Sequence, residues 1–112
     1  GGLYIDNSDL TFNGGGTVVI PSVIDGWRAG RKMYVSNGTV RVAASSPTGT
    51  AGTNIISGVN GRIQIKNTVA GAKALIGTRI VDGVGRGLDV LDIGGGYVEV
   101  HVAAKGTVFS AY

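Results

Sequence analysis

The stretch Asp25-Gly26-Trp27-Arg28-Ala29-Gly30-Arg31-Lys32 holds the densest chemistry in the chain, joining its single Trp to three cations and a turn signal. On a loop, Trp27 would stack on a sugar face while Arg28 and Arg31 meet acidic or hydroxyl groups. Tyr34 lies just beyond Lys32, so Trp27, Arg28, Arg31 and Tyr34 are the expected ligand-binding residues. The structural alternative has Trp27 plugging the end of a β fold, with the cations coating the rim.

Catalytic machinery has little to draw on. The chain has one His, one Glu and no Cys. The lone His101 sits among alternating residues of a strand-like run and reads as a polar strand position. Asp82, Asp89 and Asp92 are the closest carboxylates, and a suitably spaced pair would cleave a glycosidic bond. If Leu88–Ile93 is a strand, the odd offset puts Asp89 and Asp92 on opposite faces, which favours turn capping and solvation. No serine lies in a nucleophile-elbow pattern, and no run of acids has calcium-loop spacing. Gly83-Val84-Gly85-Arg86-Gly87 and Gly94-Gly95-Gly96 invite a phosphate-cradle reading, but such a cradle leads from a strand into a helix. Here each glycine stretch leads into another strand-like run, so tight hairpins or bulges are expected. The expectation is a non-enzymatic protein with no cofactor and no catalytic or metal-binding residues.

Period-two alternation supplies the elements. Val40 and Val42 alternate with Thr39 and Arg41; Ile63 and Ile65 alternate with Arg62, Gln64 and Lys66. Val98, Val100 and Val102 alternate with Tyr97, Glu99 and His101. Each pattern gives a half-buried strand. Leu3–Ile5, Thr17–Ile20, Lys32–Ser36, Ala74–Val81, Leu88–Ile93 and Thr107–Ser110 are further expected strands. The best helical window, Thr68–Gly77, contains Gly71 and Gly77 and reads as loop plus strand. Ser45 to Gly52 reads as an exposed loop without an apolar anchor. Asn13-Gly14, Asp25-Gly26, Asn37-Gly38, Asn60-Gly61 and Asp82-Gly83 are turn dipeptides.

Four of those dipeptides begin at positions 13, 37, 60 and 82. That rhythm suits a short β-solenoid, whose coils repeat every ~20–30 residues. The intervening segments are not alike, however, and no ladder of identical residues is evident. Regularly spaced hairpins would give the same rhythm. The favoured expectation is therefore an all-β chain forming a compact antiparallel β-sandwich or jelly-roll-like domain, with the short β-solenoid as the alternative.

The 112 residues, of which 43% are hydrophobic and 15% charged, suit one domain spanning 1–112. Its 21 glycines show no three-residue period, which excludes collagen, and the apolar content is too high for a disordered chain. Without Cys there are no disulfides, thiolate zinc sites or thiol nucleophiles. No apolar run reaches the ~20 residues of a membrane span, and no signal peptide precedes the first strand-like run. Beginning at Gly1, the chain reads as a cut domain or processed product, with Gly1-Gly2 either native or added. Its net charge of +3 is spread as single cations, short of a nucleic-acid-binding stripe, yet it suits mild attraction to acidic bacterial polysaccharides.

The order of several pieces resembles small all-β domains in tail fibres and tailspikes of tailed bacteriophages. They are Thr17-Val18-Val19-Ile20-Pro21, Gly30, Met33-Tyr34-Val35, Asn37-Gly38-Thr39-Val40-Arg41-Val42 and Gly52-Thr53-Asn54-Ile55. Val90-Leu91-Asp92-Ile93-Gly94-Gly95-Gly96-Tyr97-Val98 closes the set, with Tyr97 where the family commonly has Trp. The likeness covers Thr17 to Val102. It implies a homotrimeric knob or spacer domain on a fibre, and the expectation is an extracellular virion-tail module attaching to a bacterial surface polysaccharide. The alternatives are a virion structural or decoration module with no ligand and a carbohydrate-binding module of a bacterial hydrolase or adhesin. Nucleic-acid binding and membrane insertion are not part of that picture, and no catalytic residue is implied.

Overall fold

The computed structural model describes residues 3–4, 8–24, 30–48 and 52–104. They form seven strands and one short helix. In chain order these are β1 (Leu10–Phe12), β2 (Thr17–Ile20), β3 (Lys32–Val42), β4 (Thr53–Lys66), α1 (Val69–Leu75), β5 (Ile80–Asp82), β6 (Leu88–Gly94) and β7 (Tyr97–Val102). All seven strands belong to one mixed sheet ordered β1-β3-β4-β7-β6, with β2 beside β3 and β5 beside β4. Among the described residues no helix is long and apolar enough to cross a membrane.

The all-β expectation holds, and the antiparallel one is corrected. β1, β2 and β4 all run parallel to β3, and β5 runs parallel to β4. Only the β4–β7 and β6–β7 pairs are antiparallel. Parallel partners lie about one winding apart in sequence: Leu10 pairs with Met33, Thr17 with Thr39, Lys32 with Thr53, Asn37 with Asn60, and Asn54 with Ile80. Side-chain alternation is the same in parallel and antiparallel strands, so the pattern that located the strands said nothing about their direction.

β3 and β4 each have two limbs. The first limb of β3 pairs β1 on one side and the start of β4 on the other; its second limb pairs β2 and the end of β4. The register shifts between Val35 and Asn37, where the limbs join. Asn37-Gly38 and Asn60-Gly61, expected as hairpin turns, instead lie inside these long strands and stack in register, Asn on Asn and Gly on Gly. A Cβ on Gly61 would overlap the Val35 carbonyl oxygen, so the two strands bend together only with glycine there. Gly38, at φ +97°, packs against the backbone of Gly15 and Gly16, whose loop docks on the same corner.

The inner faces stack into apolar rows. Val40, Ile63 and Val100 are neighbours across three strands, as are Ile20, Val42, Ile65 and Val98 across four. Nearly all of these side chains are fully buried, and with Met33, Val35, Ile56 and Ile80 they make the core. At roughly 1.5–3 kcal/mol for each fully buried aliphatic side chain, these rows dominate the stabilising contacts.

Two further expectations are corrected. Thr68–Gly77 contains helix α1 rather than loop plus strand. Thr68 is its N-cap, with Oγ1 accepting from the Gly71 amide at 3.0 Å, and Gly77 follows the helix at φ +94°. A side chain at position 71 would collide with the Asn67 side chain, which accepts from the Thr68 amide. Gly71, which counted against a helix, thus makes room for its cap. Ser45 to Gly52 is not simply an exposed loop, because Pro47, Thr48 and Gly52 are buried. The Thr48 hydroxyl donates to the Gly52 carbonyl and accepts from Asn54 Nδ2, and the Pro47 carbonyl accepts from the amide of buried Ile24. The expected Thr107–Ser110 strand lies outside the described residues.

Candidate functional site

The expected ligand-binding residues are only partly described. Trp27 and Arg28 lie outside the described residues. Arg31 precedes β3, with Nε 3.8 Å from an Asp9 carboxylate oxygen; the same oxygen accepts from the Lys32 amide at 2.9 Å. Tyr34 is half-buried on the outer side of the first β3 limb, paired with Thr11 and Ile55.

A different group of polar side chains converges on the outer side of the second limbs. Two registered rows cross this face. Val19, Arg41, Gln64, Glu99 and Leu91 form one; Thr17, Thr39, Arg62, His101 and Asp89 form the other. They stand out because their neighbours Val40, Val42, Ile63, Ile65, Val98 and Val100 turn inward.

Side-chain contacts link the rows. Arg41 Nη1 donates to Gln64 Oε1 at 3.4 Å, and Gln64 Nε2 donates to Glu99 Oε1 at 3.0 Å. The other Glu99 oxygen lies 2.8 Å from His101 Nδ1 and 3.7 Å from Arg62 Nε. Glu99 is thus held by Arg62, His101 and Gln64, and its side chain is only 13% exposed. The Arg41 guanidinium carbon is 3.6 Å from the centroid of the Tyr97 ring, and the Lys66 ammonium approaches the same ring at 6.0 Å. Among the described residues neither Arg41 nor Lys66 has a carboxylate within ion-pair distance. Beside Tyr97 the arrangement sets two cations that have no ion-pair partner among the described residues, next to an amide and a carboxylate. Side chains of these types have the chemistry to meet anions and hydroxyl groups.

The glycine-rich loop after β5 has a different use. Asp82 Oδ1 accepts from the amides of Val84 and Gly85 at 2.8 and 3.0 Å, and Oδ2 accepts from Gly87 at 2.7 Å. Burial pushes this carboxyl up, but the backbone hydrogen bonds from Val84, Gly87, Gly85 and Arg86 outweigh burial and hold it below its ordinary value of 3.8. The converging amides do form an anion nest, and its guest is the protein's own carboxylate. Asp92 caps the β6–β7 turn by accepting from the Gly94 amide at 2.9 Å, as expected of a turn carboxylate. Among the described residues no three His, Asp or Glu side chains group as a metal site.

A third feature lies at the start of the winding. Leu3, Leu10, Phe12, Val18, Val19, Ile20 and Pro21 line an open apolar cleft of about 380 Å³. Val18 sits in the inner row with Val40, yet it is 41% exposed because β2 is paired on one side only.

Arg41, Gln64, Lys66, Tyr97 and Glu99 are visible in the sequence only as polar members of alternating strands. The signal that unites them is strand order, which the sequence does not display. Comparison with protein-family models, curated proteins and solved structures finds no match.

Proposed function

We propose that this chain is a non-enzymatic attachment module of the tail-fibre or tailspike kind, engaging a bacterial surface glycan through the outer face of β3, β4 and β7. The observation that carries this reading is the Arg41–Tyr97 stack, set with Lys66, Gln64 and Glu99 on a solvent-facing ladder. A flat sheet face suits a polymer that lies across strands, because rigid elements hold the contacting groups at fixed spacing. The parallel windings support a short β-solenoid as the architecture, a form that suits an elongated virion appendage. A homotrimer and a tail location complete the reading. Trp27, Arg28, Arg31 and Tyr34, expected from the sequence, are a second set of candidate ligand-binding residues.

Affinity electrophoresis through gels containing bacterial surface polysaccharides tests the binding. The chain should be retarded by at least one such polymer, and Tyr97→Ala should abolish retardation while keeping the native circular dichroism spectrum. Retardation that survives Tyr97→Ala unchanged would remove this face from the proposal. Sedimentation equilibrium tests the assembly, which predicts three times the 11.3 kDa chain mass. A purely structural module without a ligand has one observation in its favour, the apolar cleft at the β1–β2 end. It predicts no retardation by any polysaccharide.

A further inference from the structure

Resting on the glycan reading above, we infer that the outer face selects saccharides bearing a carboxylate, with the Arg41 guanidinium as the carboxylate receptor and Lys66 as its partner charge. Three observations converge on this. First, the charges are unevenly spent. Glu99 lies within ion-pair distance of Arg62 and His101, whereas Arg41 and Lys66 face Tyr97 with no carboxylate within ion-pair distance among the described residues. An anionic group arriving at this face completes the pairing.

Second, the Arg41 fork is held in place. Its guanidinium lies over the Tyr97 ring and uses Nη1 on Gln64, which leaves other N–H groups for a bidentate acceptor. Holding the guanidinium beforehand removes part of the ordering cost of binding. Gln64 and the Thr39 hydroxyl lie in adjacent registered rows, where they offer both donors and acceptors to sugar hydroxyls.

Third, the side chains match a planar carboxylate flanked by hydroxyls, while the backbone-amide nest after β5 is already filled. Phosphate sites in loops are built from converging backbone amides, and the nest of that type in this fold is filled by Asp82. Around Tyr97 the outer face presents side chains instead: the Arg41 fork, the Lys66 ammonium and the ring itself. A uronic or sialic acid unit supplies the matching planar anion together with hydroxyls.

The experiment compares paired polymers by isothermal titration: polygalacturonate, alginate and polysialic acid, each beside its carboxyl-reduced or methyl-esterified counterpart. Expected is binding to at least one acidic polymer, at least about tenfold tighter than to its neutralised form. Arg41→Lys keeps the charge and loses the fork, so it should weaken that binding severalfold. Arg41→Gln should weaken it further. Lys66→Gln, at an exposed position, provides a variant with little risk to folding and should also reduce affinity. Equal affinity for acidic and neutralised polymers would overturn the carboxylate inference and leave the glycan reading standing. Acid-selective binding unchanged by all three substitutions would overturn the assignment to this face. Binding to none of the polymers, or to duplex DNA as tightly as to the acidic polymers, would overturn both.

Discussion

Arg41 reaches Tyr97 across an intervening strand. The two residues belong to β3 and β7, with β4 between them, yet the guanidinium lies 3.6 Å from the ring centroid. Together the two side chains span the two strand spacings, roughly 9–10 Å, over the outer surface of β4. Gln64 stands on the strand between them and receives the hydrogen bond from Nη1. The pair thus ties the parallel windings to the antiparallel β6–β7 hairpin.

That tie should be measurable. A double-mutant cycle on Arg41→Ala and Tyr97→Ala should give a coupling of about 0.5–1 kcal/mol in urea unfolding, the range for a partly exposed cation–π pair. Additivity within error would mean that the stack contributes nothing to stability. Its role would then be confined to binding.

The bend in β3 and β4 predicts an intolerant glycine. Gly61→Ala places a methyl group against the Val35 carbonyl oxygen, with backbone on both sides of the clash. The strands must separate or the bend must open, at a cost of about 1–3 kcal/mol by analogy with overpacked cores. Gly14, with open space around its Cβ direction and no left-handed backbone, is a useful contrast. Gly14→Ala should cost about 0.5 kcal/mol or less, as for an ordinary surface substitution. Urea midpoints for the two variants compare directly, and equal losses would contradict the packing argument.

Asp82 sets part of the acid limb of stability. Its carboxyl is held below 3.8 in the folded chain, so the native state favours the ionised form. The resulting stabilisation is fully present above the unfolded value and is lost as pH falls through the folded one. Asp82→Asn should therefore lower stability at pH 7 and flatten its decline below pH ~4. Thermal melts from pH 7 down to 2 check this, and parallel pH profiles for the two proteins would contradict it. The residue is half-buried at the surface, where solvent screening keeps the effect modest.

Helix α1 should depend on its cap. Seven residues are too few for a helix to hold by propensity, so the Thr68 hydroxyl and packing around buried Ala72 must sustain it. Thr68→Ala should cost about 1 kcal/mol, whereas Thr68→Ser should be nearly neutral. Chemical denaturation distinguishes the two outcomes.

Strand positions were the most legible part of the fold, and strand partners the least. Thr17–Ile20 and Tyr97–Val102 match β2 and β7 in full, because alternating residues with one buried face leave a direct trace in the sequence. Pairing direction leaves no such trace. Asn37-Gly38 and Asn60-Gly61 illustrate the ambiguity, since the residue types that suit a hairpin turn also suit a bend shared by stacked strands. Their separation of 23 residues is the offset at which the second limbs of β3 and β4 pair in parallel. The Asp82-Gly83 pair breaks that rhythm: Asp82 sits opposite Ile56, several residues before the Asn60 corner. For the candidate site the limit is sharper. Arg41, Gln64 and Tyr97 each look like ordinary strand-surface residues, and only the β3-β4-β7 order gathers them.

The shared offset of the parallel pairs also bears on how such a chain can lengthen. The strands from β1 to β5 all run in the same sense, and Asn37-Gly38 already rests on Asn60-Gly61 like one storey on the next. Duplicating a single winding between β3 and β4 would add a storey without reversing any strand. It would lift the β1–β2 end farther from the β6–β7 hairpin while leaving both terminal contacts intact. Reach in this molecule is therefore set by the number of storeys, a quantity that evolution or engineering can change one unit at a time.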